Sequence, residues 1–156
     1  CTQCALGTYS PTGSGRCEDC AAGRYMEASS GSGAASDCIE CVAGKYLEHV
    51  GSDAASDCIA CPAGRYVHVA GSDAASDCIP CGAGRYLEHT GSVSATDCIE
   101  CGVGKYAQDR GNVAESDCIE CATGKYLQHT GSDTASDCID CVEGEFSNGS
   151  ACIPSY

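Results

Sequence analysis

The chain has no tryptophan, one phenylalanine and one methionine, and Leu, Ile, Val and Phe together number only 20 among 156 residues. So thin an apolar set excludes a continuous hydrophobic core of the usual kind, and taken alone it describes a disordered chain. Positive charge is scarce too: eight Lys and Arg stand against 22 Asp and Glu, for a formal net charge of −14. Nucleic acid is therefore not an expected partner, because affinity for a phosphate backbone comes from clustered cations. An anionic lipid surface is disfavoured by the same repulsion. No apolar run approaches the roughly 18–20 residues that cross a bilayer, and there is no charged-then-apolar leader, so no membrane insertion is expected in this segment. Cys1 at the start reads as the edge of a segment cut from a longer or processed precursor. No nucleophile, base and orienting group stand out together, which argues against an enzyme.

What the chain has is cysteine, 17 of them. A content above roughly 8–10% is the composition of a disulfide scaffold, in which cross-links replace buried apolar area, and it points to an extracellular or cell-surface protein of the secretory pathway. The cysteines punctuate an internal repeat of about 20 residues. Residues 1–20 hold a first, short repeat; residues 20–141 hold the tandem array; residues 141–156 hold a truncated last repeat in which Glu145-Phe146 replaces the usual basic residue and tyrosine. The type unit is Cys41 to Cys61, reading CVAGKYLEHVGSDAASDCIAC. Within it Gly44 to His49 alternates like a strand, Asp57 to Cys61 forms a second extended piece, and the turn formers between them favour a hairpin-like loop. No apolar face at helical spacing persists. The fold class expected is thus a small disulfide-rich repeat protein, an elongated stack of β-hairpin-like units with no helices of note, each unit leaning on its neighbours.

The cysteines fall into eight C-x-x-C pairs plus Cys152. If the second cysteine of each pair closes a loop with the first of the next, the bridges are Cys4–Cys17, Cys20–Cys38, Cys41–Cys58, Cys61–Cys78, Cys81–Cys98, Cys101–Cys118, Cys121–Cys138 and Cys141–Cys152. That scheme uses all but Cys1, whose partner would lie upstream, and each loop stabilises the fold by roughly 3 kcal/mol in the chain-entropy model. Two alternatives stay open, since connectivity does not follow from one sequence. Bridges within each C-x-x-C leave Cys152 alone and the long loops unclosed. Four-cysteine zinc sites suit the C-x2-C-x16-C-x2-C spacing, yet they impose a period near 40 residues where the chain shows 20 without alternation. A redox-active pair is disfavoured because nothing singles out one reactive thiol.

Other positions recur with the same period. Tyr25, Tyr46, Tyr66, Tyr86, Tyr106 and Tyr126 are expected to cover neighbouring disulfides as structural aromatics. Ile39, Ile59, Ile79, Ile99, Ile119 and Ile139 are expected to pack at the repeat junctions. Glycines such as Gly44 suit positive φ or close approach. The residue before each tyrosine uses six of the eight positive charges, and an ion-pair ladder with Asp37, Asp57, Asp77, Asp97, Asp117 and Asp137 is expected, each exposed pair contributing little. No cofactor is expected. Loop acids Asp53, Asp57, Asp73, Asp77, Asp133 and Asp137 give only a weak calcium signal, lacking the alternating acidic run of a calcium loop, and His49, His68, His89 and His129 need no role beyond the surface. Asn148-Gly149-Ser150 is a sequon, so Asn148 is a candidate glycosylation site.

At C-x-x-C-x-A-G-[KR]-Y, for example Cys58-Ile59-Ala60-Cys61-Pro62-Ala63-Gly64-Arg65-Tyr66, the chain resembles the ephrin-receptor-like cysteine-rich repeats, themselves similar to the first modules of tumour necrosis factor receptor domains. The resemblance covers nearly all of Cys1 to Cys152. It implies extracellular, non-catalytic modules that build elongated stalks and contact surfaces, and a disulfide from each opening cysteine to the next one. The uniformity of the repeats is more similar to long arrays in protist cell-surface and filament proteins, flagellar hairs included. The function expected is a rigid, disulfide-laddered rod in a filament, matrix or stalk, self-associating or bound to other extracellular structural proteins. A ligand-binding ectodomain is the alternative, with a face built from residues such as Leu47, Glu48 and His49, or from Val67-His68-Val69 and Gln108-Asp109-Arg110.

Overall fold

A computed structural model describes residues 4–27 and 33–154; Cys1 lies outside them. A repeat opens with a tight turn ending on glycine. At Gly44 φ is +85°, a conformation that a residue with a Cβ rarely adopts, and a Cβ built there would stand 2.2 Å from the carbonyl oxygen of Gly91. The turn delivers a two-residue strand, Lys45–Tyr46, which pairs antiparallel with Ile59–Ala60. Between them the chain loops out and re-enters through a three-residue 3₁₀ helix, Ala55–Asp57.

The first strand is shorter than the alternating pattern over Gly44 to His49 implies. After Tyr46 the backbone leaves its own hairpin: the Leu47 N–H donates to the Ser72 carbonyl, and the Leu47 carbonyl accepts from the Gly23 N–H. The second extended piece is also shorter than expected. Asp57 lies in the 3₁₀ helix, where its carboxylate accepts from the N–H groups of Asp53 and Ala54, satisfying donors that a helix start leaves unpaired. Among the described residues, every helical segment is a 3₁₀ turn of this kind.

The chain divides into two compact units. One comprises Cys1–Pro62, Tyr66–Ile79 and Thr90–Val93. Its hairpins pair Thr8–Tyr9 with Glu18–Asp19, Arg24–Tyr25 with Ile39–Glu40 and Lys45–Tyr46 with Ile59–Ala60. Parallel bridges Tyr25–Ser52, Tyr46–Ser72 and Tyr66–Ser92 join one repeat to the next. The other unit comprises Ala63–Arg65, Pro80–His89 and Ser94–Tyr156. There Arg85–Tyr86 pairs with Ile99–Glu100, Lys105–Tyr106 with Ile119–Glu120, Lys125–Tyr126 with Ile139–Asp140 and Glu145–Ser147 with Cys152–Pro154, with bridges Tyr86–Asn112 and Tyr106–Ser132.

The core is a series of small clusters instead of one body. Tyr9 packs on Cys20, Met26 and Cys38; Tyr25 on Cys41, Leu47 and Cys58; Tyr46 on Cys61, Val67 and Cys78. In the second unit Tyr86 packs on Cys101, Ala107 and Cys118. Each ring therefore covers the disulfide and the one buried side chain of the following repeat. That buried position is the residue after tyrosine, Leu47 at 1% exposure, and of the isoleucines expected at the junctions five are outside, Ile59 at 46%, with Ile79 half-buried. The cause is strand alternation: Cys58 points inward, so Ile59 points out. Leu87→Ala should consequently destabilise the protein by about 2–4 kcal/mol, whereas Ile99→Ala should change it by less than about 1 kcal/mol. Denaturant unfolding of both variants without reductant checks the ordering.

Candidate functional site: the repeat junction

The chemistry-bearing residues meet where one repeat hands over to the next. Each C-x-x-C from Cys17 onward is split between two bridges. Cys20–Cys38 ends as Cys41–Cys58 begins, followed by Cys61–Cys78, Cys81–Cys98, Cys101–Cys118 and Cys121–Cys138; Cys4–Cys17 precedes them and Cys141–Cys152 follows. Cα separations of 5.6–5.9 Å lie in the ordinary disulfide range. A bridged cysteine has no thiolate to offer, so these bridges leave no four-cysteine zinc site and no dithiol within a C-x-x-C. Cys1 lies outside the described residues.

Four backbone hydrogen bonds recur along the regular repeats. In the first unit they are Gly23 N–H to Leu47 O at 2.7 Å, Leu47 N–H to Ser72 O at 3.0 Å, Gly71 N–H to Cys41 O at 2.8 Å and Cys61 N–H to Gly44 O at 2.9 Å. In the second the same set is Gly104 to Leu127, Ala107 to Ser132, Gly131 to Cys101 and Cys121 to Gly104. None of these bonds depends on side-chain identity, so one geometry serves repeats whose buried residue is Met26, Leu47, Val67 or Ala107.

The charges are arranged differently from the expected ladder. Arg24 pairs with Glu40 at 2.6 Å, Arg85 with Glu100 at 2.8 Å, Lys105 with Glu115 at 3.1 Å and Lys125 with Asp140 at 2.9 Å. Three of these acids occupy the position just before the opening cysteine, directly across the hairpin from the basic residue. Asp37, Asp57, Asp77 and Asp117 instead accept backbone N–H groups at the start of their own 3₁₀ helices, and Asp97 accepts from Ser94 N–H. The short reach of an aspartate favours this local use over a partner across the hairpin.

Two glutamates, Glu27 and Glu48, tie repeats together in a role that the sequence did not suggest. Glu27 accepts from Ala55 N–H and Glu48 from Ala75 N–H, each capping the 3₁₀ helix of the following repeat. Glu100 accepts from Thr130 Oγ1 at 2.6 Å and from Arg85, spanning three repeats. The recurrence of an acid before the opening cysteine, at Glu40, Glu100, Glu120 and Asp140, was the available signal. The hydrogen bond from Thr130, reinforced by Arg85, holds the Glu100 carboxyl below its ordinary value. At the first repeat the hydrogen bond from Tyr9 to Glu18 raises the phenol.

Of the candidate ligand-binding residues, Leu47 and Val67 are core and Glu48 is a cap. His49, His68, Val69 and Gln108 to Arg110 are exposed. Tyr66, Tyr106 and Tyr126 are half-buried like their counterparts. Among the described residues, the one grouping of three potential metal ligands is Cys141, Glu145 and Cys152, and its two cysteines are bonded to each other. The loop acids form no such group there, and the carboxylates of Asp57 and Asp77 are already engaged with backbone donors. Asn148 is exposed at the end of the array.

Against known proteins, the family described as tyrosine-protein kinase ephrin type A/B receptor-like matches residues 7–58, 53–98 and 95–138. A search of curated proteins returns no match. Eight disulfides in such repeats are what an oxidising, extracellular or secreted setting sustains.

A carboxyl held low in the folded state contributes stability that is present above its unfolded value and is lost as pH falls through the folded one. Titration followed by NMR should therefore find Glu100 protonating below the ordinary range of a glutamate carboxyl. Thr130→Val should move Glu100 back toward the ordinary range, and Arg85→Ala should do so to a smaller extent. An unchanged Glu100 in both variants would contradict the bridging role.

Proposed function

Given that the chain belongs to the tyrosine-protein kinase ephrin type A/B receptor-like family, we propose that it is a structural protein of the extracellular space. In this reading it is a rigid rod within a filament, matrix or cell-surface stalk, without catalytic activity or a bound cofactor. The observation that carries the reading is the junction: the same four backbone hydrogen bonds and the same buried disulfide recur from repeat to repeat. A joint set by backbone and covalent geometry transmits one fixed step between neighbours, and successive fixed steps build stiffness. Net charge of −14 keeps such a surface hydrated and resists non-specific collapse. The partners are further copies of the chain or other extracellular structural proteins.

Small-angle scattering and electron microscopy of the isolated chain test the reading. A rod gives a radius of gyration well above the ~15 Å of a compact chain of this length, together with a linear cross-section regime. A compact globule, or the scattering of a flexible coil, would sink it. Strong reductant should collapse the rod signature, since no repeat holds a core without its disulfide. Sedimentation over a wide concentration range addresses the partners: self-association favours the filament, while a strict monomer that captures a ligand through one repeat favours the ectodomain.

A further inference from the structure

In regular repeats the loop after the tyrosine folds back over the residue that precedes an earlier opening cysteine, an acid at Asp19, Glu40 and Glu100. Thr130 Oγ1 donates to Glu100 at 2.6 Å, and Gly131 and Gly71 lie against the side chains of Glu100 and Glu40. The last repeat is shorter: Cys152 follows Cys141 by 11 positions, whereas Cys138 follows Cys121 by 17. Its stub still docks: Leu127 N–H donates to Gly149 O, and Ser147 Oγ donates to Lys125 O at 2.5 Å. What it lacks is the six residues that cover the acid elsewhere. A polar groove of about 420 Å³ remains, lined by residues including Lys105, Glu120, Thr123, Lys125, Ser147 and Asn148, and among the described residues no loop glycine lies against Glu120 as Gly131 does against Glu100.

Asn148 stands on the rim of this groove within the sequon Asn148-Gly149-Ser150. It is exposed, and its Oδ1 accepts from Ser150 N–H, Ser150 Oγ and Ala151 N–H at 2.8–3.1 Å. The Asx turn thus consumes the oxygen, and Nδ2 meets no hydrogen-bond acceptor among the described residues. We propose that Asn148 carries an N-linked glycan whose first sugar lies in this groove, in the place that a full-length loop fills in other repeats. In the transfer, Nδ2 bonds to the anomeric carbon of a polyprenyl-pyrophosphate-linked oligosaccharide. The carbon–oxygen bond to the pyrophosphate breaks, the lipid pyrophosphate departs with the electron pair, and an Nδ2 proton passes to base. The volume falls within the roughly 300–1,000 Å³ typical of small-ligand sites. The hydroxyls and charges of Thr123, Ser147, Glu120 and Lys125 match a sugar's donors and acceptors.

The full chain, secreted from a eukaryotic host, provides the test. Peptide N-glycosidase in heavy-oxygen water should leave labelled aspartate at position 148 and none at Asn112, which lies outside a sequon. Ser150→Ala should abolish the label and Ser150→Thr should retain it. Secretion of the chain with Asn148 wholly unmodified would overturn the proposal. Seating of the sugar is read separately: amide exchange at Thr123 to Lys125 should be several-fold slower in the glycosylated chain than in the enzymatically deglycosylated one. Equal exchange in both would overturn the placement in the groove.

Discussion

Everything in this structure depends on closing a core that no repeat can close alone. One apolar side chain of modest size, a disulfide and a tyrosine make up each cluster, and the tyrosine comes from the preceding repeat. Burying a leucine contributes about 1.5–3 kcal/mol, far below the conformational entropy of ordering some 20 residues at about 1–2 kcal/mol each. The disulfide reduces that entropy in the unfolded chain, and the backbone bonds to neighbours supply the remainder of the order. Leu47 shows the arrangement most plainly: its amide and its carbonyl are engaged by two different repeats, so a residue buried in its own repeat is also one that commits the chain to an array.

Backbone-mediated joining explains the tolerance of the buried position. Met26, Leu47, Val67, Leu87, Ala107 and Leu127 differ in volume, yet each is almost wholly buried. A joint that relied on shape-matched side chains would vary with these residues. Here the glycine turn sets the approach distance, and the amide-to-carbonyl contacts set the step. The side chains that do vary from repeat to repeat, such as the acids and the tip residues, sit where they adjust the surface without changing the joint.

Much of this was legible in the sequence. The period, the hairpin-like unit and the role of a glycine such as Gly44 follow from cysteine spacing and turn chemistry, which act over a few residues. The isoleucines and aspartates were misread for one shared reason. Ile59 and Asp57 were placed by residue type, apolar at a junction and acidic near a base, whereas the local backbone decides their direction. Alternation from an inward Cys58 sends Ile59 out, and the 3₁₀ start draws the Asp57 carboxylate to nearby amides. The capping role of Glu48, expected on a ligand-binding face, and the bridging role of Glu100 were not legible because their partners, Ala75 and Thr130, lie 27 and 30 positions away, beyond the reach of any single-repeat pattern.

The class of protein, the length of the repeat and the absence of a conventional core follow from composition and period alone. Tertiary structure alone decided which apolar residue is buried, which acid meets which base and what lies over each disulfide. Those outcomes depend on contacts between repeats one and two steps apart, where a register of about 20 residues, invisible as a local preference, brings Gly44 against Gly91 and Tyr25 over Cys41.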